Sequence, residues 1–277
     1  MTWLATSAGD NRMEHLGDSC FRSMDITDEE DVIQCFQEFR PSAVINTAAM
    51  TLVDLCEDEK EKCHAVNVKG VEHLLTATKE HGAHLVQVST DFVFNGEDGP
   101  YMETDEPDPL SEYARSKHLA ERLLIDSDYP NWSIARTIIL YGYATGLSRS
   151  NVVLWARQAL HEGEAMRIVQ DQFRAPTLAE DLAAACLAIV ERSAYGIYHL
   201  SGPETMSVLE MVHRIARYYG LDSSHVEAID TASLGQPAAR PPRTGFILEK
   251  AARDLDYSPR TLEQGLALLD EQHPMKR

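Results

Sequence analysis

An α/β fold, a Rossmann-like doubly wound parallel sheet with a smaller C-terminal substrate-binding lobe, is predicted by two observations. Apolar strand-like runs alternate with amphipathic helical runs from the N-terminus onward. One such run closes in the polar triplet Ser89-Thr90-Asp91, and the C-terminal ends of strands are where open α/β sheets hold ligands. The chain has 277 residues, 44% of them hydrophobic, enough for one large α/β domain or two smaller ones.

Taken in order, Thr2 to Thr6 reads as a strand followed by an irregular loop. Thr27 with Glu30 three residues on has the spacing of a capping box and opens a helix that Pro41 stops near Arg40. Ala43 to Thr47 is a short buried strand. One long amphipathic helix is predicted from Glu57 to about Glu80, with Gly82 placed to end it. His84 to Ser89 is the next strand, and the Gly-, Pro- and acid-rich stretch from Asn95 to Pro109 is a surface loop. Ser111 caps the helix carrying Tyr113 and Lys117, and Trp132 to Thr137 is the strand after it. Past Tyr141 the alternation loosens: helices at Asn151 to His161, Thr177 to Glu191 and Ser207 to Tyr219, strands at Arg167 to Val169 and Ile197 to Leu200. Pro237, Pro241, Pro242 and Pro259 then divide the rest into turns and short helices. These patterns place residues 1–141 and 171–200 in the cofactor domain, and 142–170 and 201–277 in the second lobe.

Composition excludes several classes. A formal charge of -19 leaves no basic face for a phosphate backbone, so nucleic acid is not expected as a partner. No apolar run reaches the roughly 20 residues that span a bilayer, and no secretory signal pattern opens the chain. The five cysteines form no C-x-x-C pair, which points to reduced thiols in a cytoplasmic setting and gives no metal site, Cys63-His64 included. Only 7 of the 25 basic residues are lysine, so arginines such as Arg136, Arg174, Arg240 and Arg243 are the cations available to an anionic ligand.

Tyr113 and Lys117 stand four apart, on one helix face, so that an ammonium can sit beside a phenol. A free phenol ionises near pH 10, and a neighbouring cation lowers that value toward the range useful for proton transfer. Thr90 at the strand end could hold a reacting carbonyl oxygen beside the Tyr113 proton. By itself the Tyr-Lys spacing also occurs in helices for packing and solubility; the Ser-Thr strand end gives it chemical weight.

These residues resemble the extended short-chain dehydrogenase/reductase superfamily, and within it the dTDP-4-dehydrorhamnose reductase (RmlD-like) branch. The resemblance runs through Asp25-Ile26-Thr27-Asp28, Asn46-Thr47-Ala48-Ala49-Met50-Thr51, Val66-Asn67, Ser89-Thr90-Asp91-Phe92-Val93-Phe94 with Gly99-Pro100-Tyr101, and Tyr113 with Lys117. Downstream it continues in Arg136-Thr137, Leu140-Tyr141-Gly142, Asp171-Gln172 with Pro176-Thr177, and Arg240-Pro241-Pro242 with Thr244. It implies an NAD(P)H-dependent reductase of a nucleotide-linked 4-keto sugar. Thr90, Tyr113 and Lys117 would be catalytic, with Tyr113 giving its proton to the ketone and Lys117 lowering the phenol pKa. Asp25, Ile26, Asn46, Ala48, Ala49, Asn67 and Ser89, together with Tyr113 and Lys117, would bind the cofactor. Thr51, Asp91, Phe92, Arg136, Gln172 and Arg240 would face the substrate, and a homodimer is an open option. His118 and His199 gain no role.

One departure stands out. The family opens on a strand and a G-x-x-G-x-x-G turn whose backbone N–H groups hold the cofactor pyrophosphate. Gly9 and Gly17 have the wrong spacing, and Thr2 to Thr6 matches in character the family's second strand. The sheet is therefore expected to lack its first strand and the following helix, and the chain to bind cofactor poorly. NADP is favoured over NAD, because Thr6-Ser7 has no adjacent carboxylate and Arg12 follows closely. A sugar-nucleotide epimerase or dehydratase is the competing enzyme reading, although Phe92 stands where dehydratases of the superfamily carry Glu after the Asp. A non-catalytic nucleotide-sugar-binding or regulatory subunit is the other.

Overall fold

The computed structural model describes residues 2–12, 17–146 and 150–274. The chain begins with β1 (Ala5–Ser7) and β2 (Phe21–Ser23), followed by α1 (Glu29–Phe39) and β3 (Ala43–Asn46). Asp28, rather than Thr27, caps α1: its carboxylate accepts from the Glu30 and Asp31 N–H groups, while the Thr27 hydroxyl donates back to Asp25. The predicted long helix is broken instead into α2 (Val53–Asp58), α3 (Lys60–His64), a five-residue π-helical turn at Ala65–Lys69, and α4 (Gly70–His81). The break falls at Glu59, with φ -112° and ψ 54°, and Gly82 ends α4 in the left-handed conformation, as its position predicts.

Next come β4 (His84–Thr90), α5 (Glu112–Ile125), β5 (Trp132–Thr137), β6 (Leu140–Tyr141), α6 (Val152–Glu162), β7 (Met166–Val169), β8 (Phe173–Arg174) and β9 (Thr177–Leu178). The chain continues through α7 (Ala179–Glu191), β10 (Gly196–Leu200), β11 (Met206–Ser207), α8 (Val208–Tyr219), β12 (Val226–Ile229), α9 (Glu249–Leu255) and α10 (Leu262–Gln272). Among the described residues no helix is long and apolar enough to cross a membrane.

The central sheet is wholly parallel, in the order β10-β5-β4-β3. Successive side chains along a strand point to opposite faces, and the cores follow that rule. Leu85 and Ile134 meet Val32, Phe36, Val71, Leu74 and Leu124 from α1, α4 and α5. Val86 and Ala135 meet Leu182, Cys186, Ile189, Ala251 and Leu255 from α7 and α9 on the other side. Both faces are covered, as parallel sheets require. A further core joins α6, α8 and α10 around Met211, Ile215, Leu266 and Leu269.

β1 and β2 pair with each other in parallel and form a separate two-stranded sheet. Among the described residues no strand pairs with the outer edge of β3 or with the second edge of β1. Three of the four β3 residues are half-buried rather than buried, unlike the neighbouring β4, where all but one are buried.

Candidate active site

The parallel sheet delivers β4 and β5 to one crevice. Their register sets Ser89 opposite Arg136 and Thr90 opposite Thr137. Ser111 caps α5 by accepting from the Ala114 N–H at 3.3 Å, and the Glu57 carboxylate at the end of α2 receives the Glu112 N–H. The helix is thereby fixed with Tyr113 and Lys117 toward β4. A cavity of about 710 Å³ opens there, lined by Ala49, Thr51, Ser89, Thr90, Asp91, Phe92, Tyr113 and Lys117. Gln172, Arg174 and Arg240 close it from the C-terminal part of the chain.

Thr90 and Tyr113 both line the cavity. Burial raises the Tyr113 pKa above its ordinary value, with Thr90 an opposing influence. Lys117 stands one helical turn beyond Tyr113 on α5. Its ammonium donates to the Val88 carbonyl at 2.8 Å, and burial pushes its own pKa down to about 8, against the pull of Glu121. The phenol therefore stays protonated at neutral pH, the state a proton donor needs.

Asp91 sits at the tip of β4 with both carboxylate oxygens held. Thr90 donates to one at 3.2 Å, Thr244 donates to the other, and the Arg174 Nε lies 3.9 Å away. Burial raises its pKa, with Arg174 the strongest opposing influence. The Thr90 hydroxyl thus has Asp91 as a protein partner, and both residues line the cavity.

Other expected site residues lie elsewhere. Arg136 is 1% exposed and is not brought to the cavity: its guanidinium grips Glu121, itself 0% exposed, and touches His199. A buried guanidinium needs a buried partner, and α5 supplies one. His199 is buried too, its ring stacked on Phe246 and bonded to the Tyr101 carbonyl. Asn67 is fully buried within the π-helical turn and bonds only to protein: the Met50 N–H and C=O, Cys63 and Ser116. It ties the loop after β3 to α5 instead of facing a ligand. Asn46 bonds to Gln87 and to the Ala48 N–H. Asp25 and Ile26 follow β2 outside the cavity lining, as does Ala48; Ile26 packs so close to Gly70 that a Cβ there would lie 2.6 Å from it. Arg240 reaches the cavity with its guanidinium clasping Asp54, and Gln172 donates to Thr231.

Tyr141 OH, buried and without a hydrogen-bond partner, is turned to Gly265 of α10. Ser89 Oγ, expected at the cofactor, and Thr137 Oγ1, which escaped the sequence reading, are also buried polar atoms without hydrogen-bond partners, and both residues line the cavity. Unpaired buried hydroxyls are costly unless a ligand completes them. With Lys117 they fit the carboxamide and ribose of a nicotinamide. The pyrophosphate end finds no such fit: among the described residues no glycine-rich turn opens a helix beside β1 or β3. The helix after β2 opens on Asp28, Glu29, Glu30 and Asp31, which repel a phosphate.

A parallel doubly wound sheet, with Thr90, Tyr113 and Lys117 gathered where its strands end, defines an NAD(P)-dependent oxidoreductase of the extended short-chain type. The chain belongs to the RmlD substrate binding domain family, whose model matches residues 4–273. It is 33% identical over 256 residues to the probable low-salt glycan biosynthesis reductase Agl14 of Haloferax volcanii, covering 91% of this chain and 85% of that one. It is 32% identical over 220 residues to the methionine adenosyltransferase 2 subunit beta of Xenopus tropicalis, covering 78% of this chain and 66% of that one. A crystal structure of dTDP-4-dehydrorhamnose reductase from Bacillus anthracis in complex with NADP superposes with a TM-score of 0.85 at 28% identity, covering 96% and 98% of the two chains.

Proposed function

We propose that this protein reduces a nucleotide-linked 4-keto sugar of the dTDP-4-dehydrorhamnose class with NADPH, NADH being the alternative reductant. The observation that carries this reading is the convergence of Thr90, Tyr113 and Lys117 on one cavity, beside buried hydroxyls that lack partners. A reduced nicotinamide, when bound, supplies the hydride. Tyr113, kept protonated by burial, gives its proton to the ketone oxygen. Lys117, Ser89 and Thr137 hold the ribose and carboxamide. Phe92 walls the sugar side, its ring edge toward Tyr113 at 6.0 Å. Gln172 and Arg240 face the nucleotide diphosphate, with Arg240 exchanging Asp54 for a phosphate oxygen; Thr51 completes that wall. Residues 1–141 and 171–200 act as the cofactor lobe, and 142–170 and 201–277 as the substrate lobe, although α9 packs on the sheet. A cytoplasmic setting, on the thiol-rich and C-x-x-C-free sequence, and a homodimer belong to the same proposal.

The test is a coupled assay. With dTDP-4-dehydrorhamnose the protein should consume NADPH at 340 nm, and with dTDP-glucose no water should be eliminated, because Phe92 follows Asp91. Formation of a 4-keto-6-deoxy product from the glucose nucleotide would overturn the reading in favour of a dehydratase.

The depressed Lys117 pKa adds a pH dependence. The free protein loses that charge as pH rises through about 8, so kcat/KM should fall above this value. Flat kcat/KM up to pH 10 would remove Lys117 from the reaction.

A second reading, a non-catalytic regulatory subunit, is favoured by the missing pyrophosphate cradle among the described residues and by the similarity to methionine adenosyltransferase 2 subunit beta. It predicts binding of a sugar nucleotide or dinucleotide with no turnover.

A further inference from the structure

We propose that Asn67 is a positioning residue for the proton donor: acting through Ser116, it braces the turn of α5 that carries Tyr113 against the loop after β3, whose Ala49 and Thr51 line the same cavity. This rests on the reductase reading above.

Both ends of the Asn67 carboxamide are spent on those two elements. Its Oδ1 accepts from the Met50 N–H at 2.7 Å, and its Nδ2 donates to the Met50 carbonyl at 3.0 Å. The other Nδ2 proton goes to Ser116 Oγ at 2.9 Å, with Cys63 Sγ a longer contact at 3.4 Å. Ser116 Oγ donates in turn to the Tyr113 carbonyl at 2.7 Å and receives the Cys63 thiol at 3.4 Å. The one proton and two lone pairs of that hydroxyl are therefore all in use. The amide has a single orientation, since turning it over would set its NH₂ against the Met50 N–H and its oxygen against the Met50 carbonyl.

Packing alone gives no reason for such a residue. Asn67 and Ser116 are both buried, and a buried carboxamide is costly unless its polar atoms find partners. An apolar side chain would fill the place without that demand. What the amide adds is direction. Met50 lies between Ala49 and Thr51, so holding both of its backbone groups fixes the loop at the cavity, and the bond to Ser116 fixes the first turn of α5 relative to it. Proton transfer to a ketone oxygen needs donor and acceptor at about 3 Å, and a misplacement of about 1 Å costs on the order of 100-fold. A brace between the loop and the donor helix therefore acts on rate. The backbone around Asn67 carries an independent mark of function: the Gly70 N–H reaches back to the Ala65 carbonyl in a π-helical turn, and such turns are rare and concentrate at functional sites.

Ser116→Ala removes the hydroxyl from a helix that accepts alanine readily, Ser116→Thr keeps it, and Asn67→Ala removes the amide. S116A should lower kcat about tenfold with the sugar-nucleotide KM within about threefold, the split expected when an interaction is lost chiefly in the transition state. S116T should recover kcat to within about threefold of wild type. Because the two residues act through one link, S116A should cost less than about twofold more in the N67A background. A measurement on the protein without ligands accompanies these. Hydrogen exchange at the Met50 N–H should be at least about fivefold faster in S116A than in wild type, although the connection between the two residues runs through Asn67. An S116A kcat within twofold of wild type overturns the proposal. So does an S116T variant as impaired as S116A, and so do losses that multiply in the double variant, which would mark two independent packing residues. If N67A does not fold, the Ser116 variants and the exchange rates decide. A wild-type chain that oxidises no NADPH sinks the reductase reading instead, and the Met50 exchange then decides the brace by itself: an unchanged rate in S116A overturns it.

Discussion

Tyr113→Phe is expected to lower kcat by about 10²- to 10⁴-fold, the usual worth of a positioned general acid, while KM for the sugar nucleotide changes by less than threefold. The phenol ring packs edge-on against Phe92, and Phe preserves that contact. Loss of an interaction made chiefly in the transition state reduces kcat and kcat/KM together. Steady-state kinetics at pH 7 decide the point, and a variant turning over within threefold of the parent would show that another group protonates the ketone.

An N-terminal graft should have the next largest effect. A strand, a G-x-x-G-x-x-G turn and its helix, taken from a reductase of the family and fused ahead of Met1, would offer a partner to the free edges of β1 and β3. Two charge-assisted backbone bonds to the pyrophosphate contribute roughly 3–6 kcal/mol before the cost of ordering, so NADPH should bind at least about 30-fold more tightly, equivalent to roughly 2 kcal/mol. The melting temperature should rise with it, because a central parallel strand is buried on both faces. Calorimetry and thermal melts on the two proteins test this. Equal affinity together with equal melting temperature would mean that the edges of β1 and β3 do not form a strand site.

The sheet and its helices were readable because their signals are local. His84 to Ser89 and Trp132 to Thr137 are apolar runs of strand length, and the structure extends the first by one residue and keeps the second. Ser111 and Gly82 cap where their chemistry demands. Thr27 misled because Asp28 is an equally good cap one residue later and wins both N–H groups. The helical run from Glu57 looked continuous because neither the Glu59 break nor the π-helical turn needs a Gly or Pro. The apposition of Ser89-Thr90 with Tyr113 followed from strand end and helix spacing. The place of Arg136 did not: in a strand covered on both faces, sequence cannot say whether a cation meets a ligand or a buried Glu121. The places of Asn67 and Thr244 were equally silent, since Asn67 bonds to Met50 and Ser116, 17 and 49 positions away, and Thr244 to Asp91, 153 away, which leaves no local pattern.

The buried charges around the cavity carry a consequence of their own. Lys117 and Arg174 stand against Asp91, and Arg240 against Asp54, so with Lys117 protonated this cavity wall has one cation in excess. The protein around it has a formal charge of -19. An incoming nucleotide diphosphate is therefore repelled at long range and attracted at contact. Mobile salt damps the first effect within a Debye length of about 8 Å at physiological ionic strength but reaches buried charges far less. For this protein a concentrated electrolyte is an aid to capture: it opens the approach to an anion while leaving the grip inside largely intact.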